Sequence, residues 1–263
     1  VVIRTRKPLE DALVLRIQSQ PGVRFIRVLP PVLPVMTPPD VRVPFLTCDA
    51  MLRYNQDRAL PLWKLAALYE CARGELEEAQ VLEKMRELIR VMRGSIELGL
   101  QGTEYRDRIL GCQSKHLQAR MKEGKLLGGE LVNRMLLNVA AIMEVKSSMG
   151  VIVAAPTAGA CAALPGGCIA VGDSLGASEE DLARAMLAAG MIGIFIAAHA
   201  TFAAEVGGCQ AEGGSASGMA AAAFVTLAGG STRQAIGAAS MALQNCMGMV
   251  CDPVANRVEV PCL

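Results

Sequence analysis

Three cysteines near the end of the chain have the local settings of metal ligands. Cys209, Cys251 and Cys262 stand 42 and then 11 residues apart in a Gly- and Ala-rich stretch with few charges. Cys209 follows Gly207 and Gly208 between apolar helices, Cys251 precedes the helix-stopping Asp252-Pro253, and Cys262 follows Pro261. Thiolates at helix ends and loops suit soft metals and iron–sulfur clusters. Spacing alone leaves a second reading open. There is no C-x-x-C, and an unpaired thiol is commonly a small core residue.

Few other polar groups accompany them. Between residues 185 and 250 the charged side chains are Glu205, Glu212 and Arg233. A carboxylate in apolar surroundings needs a partner, so the two glutamates read as holders of a cationic ligand or as braces on helix N-termini. Thr157, with the backbone of Ala158 and Gly159, reads either as a pocket for a small anion or as a plain turn. Gln210 and Asn245 are candidate hydrogen-bond donors around a metal site. Of the two histidines, His116 and His199, the second reads as a satisfied core histidine. Lys115 and Lys146 read as ordinary polar residues. An alternative assigns Ser114-Lys115 as a Schiff-base site and the glycines near Gly213 as a phosphate cup, giving a pyridoxal-phosphate lyase, but their order along the chain suits it poorly.

The words around the cysteines narrow the choice. GVIVAAPTAGA (residues 150–160), AEVGGCQAEGGSASGMAAA (204–222) and ALQNCMGMVCDPVANRVEVPC (242–262) closely resemble the alpha chain of the iron–sulfur L-serine dehydratases, over roughly residues 45–263. The resemblance implies a largely helical fold and a 4Fe–4S cluster on Cys209, Cys251 and Cys262. It implies an open iron acting as Lewis acid on the substrate hydroxyl, and deamination of L-serine to pyruvate and ammonia without pyridoxal phosphate. Within such an enzyme, Thr157, Ala158, Gly159 and Glu212, singled out above from the residues themselves, become the candidate substrate contacts, although the resemblance places the carboxylate-binding residues partly in a beta portion. It also implies a beta chain, in an oligomer, that supplies the catalytic base through a Ser-Ser-His-Thr type motif missing from this sequence. The departures are Glu212-Gly213-Gly214 where relatives read Glu-Val-Gly, Lys146 where Asn is common, and the end of the sequence at Leu263, one residue after the last cysteine.

Helices must position these groups. Aromatics make up 3% of the chain, and Ala, Gly, Leu and Met are abundant, which favours closely packed helices over sheets. The expected class is all-α. Residues 75–94 form the clearest amphipathic helix, with Leu82, Met85, Ile89, Met92 and Ile96 on one stripe. Further helices are expected from about residue 60 and over 132–145. Ser178, followed by Glu179, Glu180 and Asp181, starts another, and Ser231 to Gln234 carries a capping-box signal. Residues 151–159 read as an extended segment entering the core, and Pro165-Gly166-Gly167 as a turn.

Residues 1–40 read differently. A short helix over 8–19, a Pro21-Gly22 break and a strand over 23–29 resemble the last helix and strand of an ACT-type module. Five prolines between Pro30 and Pro39 then form a linker. The expected domains are therefore this remnant, with its linker, at 1–40 and a catalytic domain at 41–263. A net charge of +1 and the scarcity of aromatics argue against a nucleic-acid surface. Nine scattered cysteines, with no charged-then-apolar leader over residues 1–6, read as reduced thiols in a cytoplasmic segment of a longer protein. Residues 186–204 are long and apolar enough to span a bilayer, which makes a non-enzymatic membrane protein the remaining alternative. Without flanking basic clusters or an aromatic belt they read instead as a buried helix.

Overall fold

Small residues let the helices of this chain approach closely, and the arrangement follows from where they stand. The computed structural model describes residues 9–26, 28, 41–106, 108–109 and 111–248. The chain divides into two units, Val1–Pro31 and Val32–Leu263. In the first, α1 (Asp11–Gln18) has no buried residue. The described residues after it, 23–26 and 28, form no strand. This corrects the expected strand: a β pattern gains stability only from a paired neighbour.

The second unit holds α2 (Cys48–Tyr54), α3 (Leu62–Gly74), α4 (Glu78–Gln101), α5 (Gln113–Lys122), α6 (Glu130–Ser147), α7 (Ala163–Leu175), α8 (Glu179–His199), α9 (Ala204–Gly207), a π-helical turn (Gln210–Gly214), α10 (Ser215–Leu227) and α11 (Thr232–Asn245). Among the described residues there is no strand, so the all-α expectation holds. α8 lies at the centre, against α3, α4, α7 and α10. It is long and apolar enough to cross a membrane, yet most of it is buried in this bundle. Its start follows the sequence: the Ser178 hydroxyl accepts the Asp181 N–H at 3.1 Å, and Asp181 reaches back to the Ser178 N–H at 3.0 Å. Ser231 and Gln234 repeat this box at α11.

The apolar stripe of α4 is buried at Met85, Ile89, Met92 and Ile96, each contributing about 1.5–3 kcal/mol when fully covered. Further along α4, a Cβ at Gly99 would collide with the backbone of Ala141 on α6. Pro165-Gly166-Gly167 is not a turn but part of α7. Pro165 falls in the first helical turn, where its missing N–H costs nothing. A side chain at Gly166 would strike Val139 on α6, and one at Gly167 would strike Phe224 on α10. These glycines serve helix contact, which overrode their turn signal.

Candidate functional site

The site is built where α9 breaks and α10 begins. Gly208 has φ 70° and ψ −171°, a conformation essentially restricted to glycine. It redirects the chain so that Cys209 heads the π-helical turn, with its thiol buried and bonded to no helix N–H. A Cβ at Gly208 would meet no atom of the described residues within 4 Å. A π-helical turn displaces side chains from ordinary helical register and recurs at functional sites. Here it spreads Gln210 and Glu212 toward different neighbours. Gln210 Oε1 accepts the Gly248 N–H, just beyond α11, and Gly214 lies against Cys246.

Glu212 faces the segment after α6. The Thr157 hydroxyl donates to Glu212 Oε1 at 2.7 Å and accepts the Ala160 N–H at 3.1 Å. The amide therefore fixes the direction of the hydroxyl proton. The Glu212 carboxylate also lies so close over Gly159 that a Cβ there would stand 2.6 Å from Oε1. Glu212 is half-buried, and among the described residues no Lys, Arg or His pairs with it. The N–H groups of Ala158 and Gly159 make no hydrogen bond to the described residues. The Glu212 carboxylate, with no cationic partner among the described residues, thus lies against the backbone at Gly159, beside the Thr157 hydroxyl.

The segment carrying Thr157 is anchored at its start. Met149, in the left-handed region at φ 61°, closes α6, and the Gly150 N–H donates to Val145 O at 2.8 Å. The buried Ser95 hydroxyl on α4 lies 2.9 Å from Val151 O and 2.9 Å from Val91 O. Residues 151–154 then run without regular structure, as expected, to a cis Ala155–Pro156 bond.

Sequence reasoning missed Glu144. This α6 residue is 2% exposed, and its carboxylate accepts the N–H groups of Gln113 (2.6 Å) and Ser114 (2.7 Å). It also accepts the Ser114 hydroxyl (3.0 Å) and the Cys112 thiol (3.3 Å), with Arg108 at 3.4 Å. It caps α5 from a neighbouring helix, where negative charge meets the positive end of the helix dipole. The available signal was a lone acid on the otherwise apolar face of α6.

The structure therefore brings together Glu212, Thr157 and Gly159, with Cys209 and Gln210 at the start of the turn that carries Glu212. Ala158 is exposed beside them. It does not gather Glu205, His199, His116, Lys115 or Asn245, all exposed. His199 is corrected from a core residue to the exposed last residue of α8, because the helix outruns its packing there. Lys146 is half-buried at the end of α6. Lys115 lies over Gly102, and Ser114 is spent on Glu144 and Gly99, which leaves the Schiff-base reading without a free pair. Cys251 and Cys262 lie outside the described residues, and among those described no three His, Cys, Asp or Glu side chains converge as a metal site. Of the remaining cysteines, Cys168 is fully buried, and burial pushes its thiol up to about 12. Burial also raises Cys48 and Cys71. Thiols in such apolar surroundings serve as small packing residues.

Fold and site together define a helical domain in which a buried cysteine heads an irregular turn whose carboxylate pairs with a threonine from a distant segment. Residues 57–263 match the family of the serine dehydratase alpha chain, and the chain belongs to that family. It is 40% identical over 219 residues to the probable L-serine dehydratase alpha chain of Bacillus subtilis, covering 83% of this chain and 73% of that one. It is 34% identical to the L-serine dehydratase alpha chain of Peptoniphilus asaccharolyticus (82% and 74% covered). It is 31% identical to the L-serine dehydratase of Streptomyces coelicolor, covering 85% of this chain and 49% of that protein.

Proposed function

We propose that this chain is the alpha chain of an L-serine ammonia-lyase. The observation that carries the reading is the Thr157–Glu212 pair against Gly159, on the turn that Cys209 heads, in a member of the serine dehydratase alpha chain family. Glu212 Oε2 receives the substrate ammonium while Thr157 holds Oε1. The amides of Ala158 and Gly159 receive the substrate carboxylate. Loss of the Cα proton and the β-hydroxyl gives aminoacrylate, which tautomerises and is hydrolysed to pyruvate and ammonia.

The residues fit a 4Fe–4S cluster. Cys209 offers a buried thiol bonded to no helix N–H, and Gly248, three residues before Cys251, is tethered to Gln210 next to it. Three residues span at most about 11 Å, so Cys251 is within reach of the same site. Cys209, Cys251 and Cys262 would hold the cluster, which when bound supplies a Lewis-acidic iron for the serine hydroxyl. A beta chain supplies the base, in an oligomeric, cytoplasmic enzyme. The test is anaerobic purification with iron analysis and absorbance. About four irons per chain and an oxygen-bleached band near roughly 400 nm are expected, with both lost in Cys209→Ala, Cys251→Ala or Cys262→Ala. Full iron content in any of the three variants would overturn the ligand assignment.

A further inference from the structure

We infer that Ser95, on α4, is a positioning residue for the Thr157–Glu212 pair. The inference rests on the substrate site proposed above and extends it to a helix that contributes no group to the site itself.

The segment from Gly150 to Thr157 has to deliver one hydroxyl to one carboxylate oxygen, yet it makes no strand and no helix. Its far end is fixed by the Thr157 hydroxyl itself, between the Ala160 N–H and Glu212. Its near end leaves α6 through the Gly150–Val145 hydrogen bond. Between these points, among the described residues, the side-chain donor reaching the segment from the helices is the Ser95 hydroxyl, whose one proton is shared between Val151 O and Val91 O, each at 2.9 Å. Ser95 is 3% exposed, so water does not compete for the carbonyl. The same hydroxyl lies 2.9 Å from Val91 O in its own helix. A serine that served only α4 would stop at that bond. The second acceptor comes from a segment 56 residues away, brought near because Gly99, one turn further along α4, lets α6 settle onto the helix. α4 therefore sets where the segment starts, and that start sets where Thr157 arrives.

Two variants separate donation from packing. Ser95→Ala removes the donor and leaves a small gap. Ser95→Cys keeps nearly the same volume but donates weakly. Hydrogen exchange on the purified chain reads the segment directly, with no dependence on activity. The Ala160 amide, protected by Thr157, is expected to exchange about fivefold to tenfold faster in both variants. With the loaded enzyme and its partner chain, KM for L-serine should rise by about the same factor, while kcat and iron content stay within about twofold. Wild-type exchange and KM in Ser95→Cys, with loss only in Ser95→Ala, would assign the effect to packing and overturn the inference. So would wild-type behaviour in both. Thr157→Ala serves as the control for the site itself. If it raises KM and the Ser95 variants do not, the inference fails while the site stands. If it leaves KM unchanged, the site reading fails.

Discussion

Gly159 shows how narrowly the proposed site is defined at the scale of one residue. Glu212 can lie against the Thr157 segment only because position 159 has no Cβ. Gly159→Ala must push the carboxylate away from the substrate amine, and KM for L-serine is expected to rise at least tenfold with iron content unchanged, as read by steady-state kinetics and iron analysis. An unchanged KM would remove Glu212 from the substrate site. The cysteines make the opposite point. Cys168 is fully buried and its thiol is pushed up to about 12, so at pH 8 it stays protonated. Iodoacetamide labelling followed by mass spectrometry should leave Cys168 unmodified in the folded chain and modified after unfolding. The pairing of Thr157 with Glu212 was partly legible, since both stood out as polar groups in apolar words. That they meet was not legible, because 55 residues separate them and only the folded bundle closes the gap.

Local rules succeeded for elements where each helix carries its own signal. The boxes at Ser178 and Ser231 and the stripe on α4 are short-range patterns, and all three are present. They failed where tertiary contact decides. Pro165-Gly166-Gly167 reads as a turn until α6 and α10 are seen against its two glycines. The π-helical turn gives no sequence sign. Glu144 gives only a faint one, because its partners Gln113 and Ser114 lie about 30 residues earlier and are backbone groups. That residue carries the clearest prediction at this scale. Glu144→Ala leaves two helix N–H groups, a buried hydroxyl and Arg108 without their shared acceptor. A loss of roughly 3–5 kcal/mol is expected, as for breaking a buried charged network. At about 2–4 °C per kcal/mol for a domain of this size, calorimetry should show Tm falling by on the order of 10 °C. A Tm within about 2 °C of the parent would show that α5 is held by other contacts.

At the largest scale, the second unit is a bundle of helices that carries an irregular turn. The central α8 is buried by its neighbours, and the small residues that thin the interfaces also let Gly208, Gly159 and Gly214 shape the site. Glu212, Thr157 and Gly159 meet within the described residues, on the turn that Cys209 heads. The two further thiols stand on the sequence alone. The proposed enzyme is therefore shared: this chain holds the substrate and the cluster, and a beta chain brings the base. The most direct measurement is anaerobic pyruvate formation from L-serine by the purified chain, with and without its beta chain, alongside Cys209→Ala. The account predicts turnover only for the parent chain combined with the beta chain, and none for Cys209→Ala under either condition. Turnover by Cys209→Ala at the parental rate, or by the parent chain alone, would contradict it.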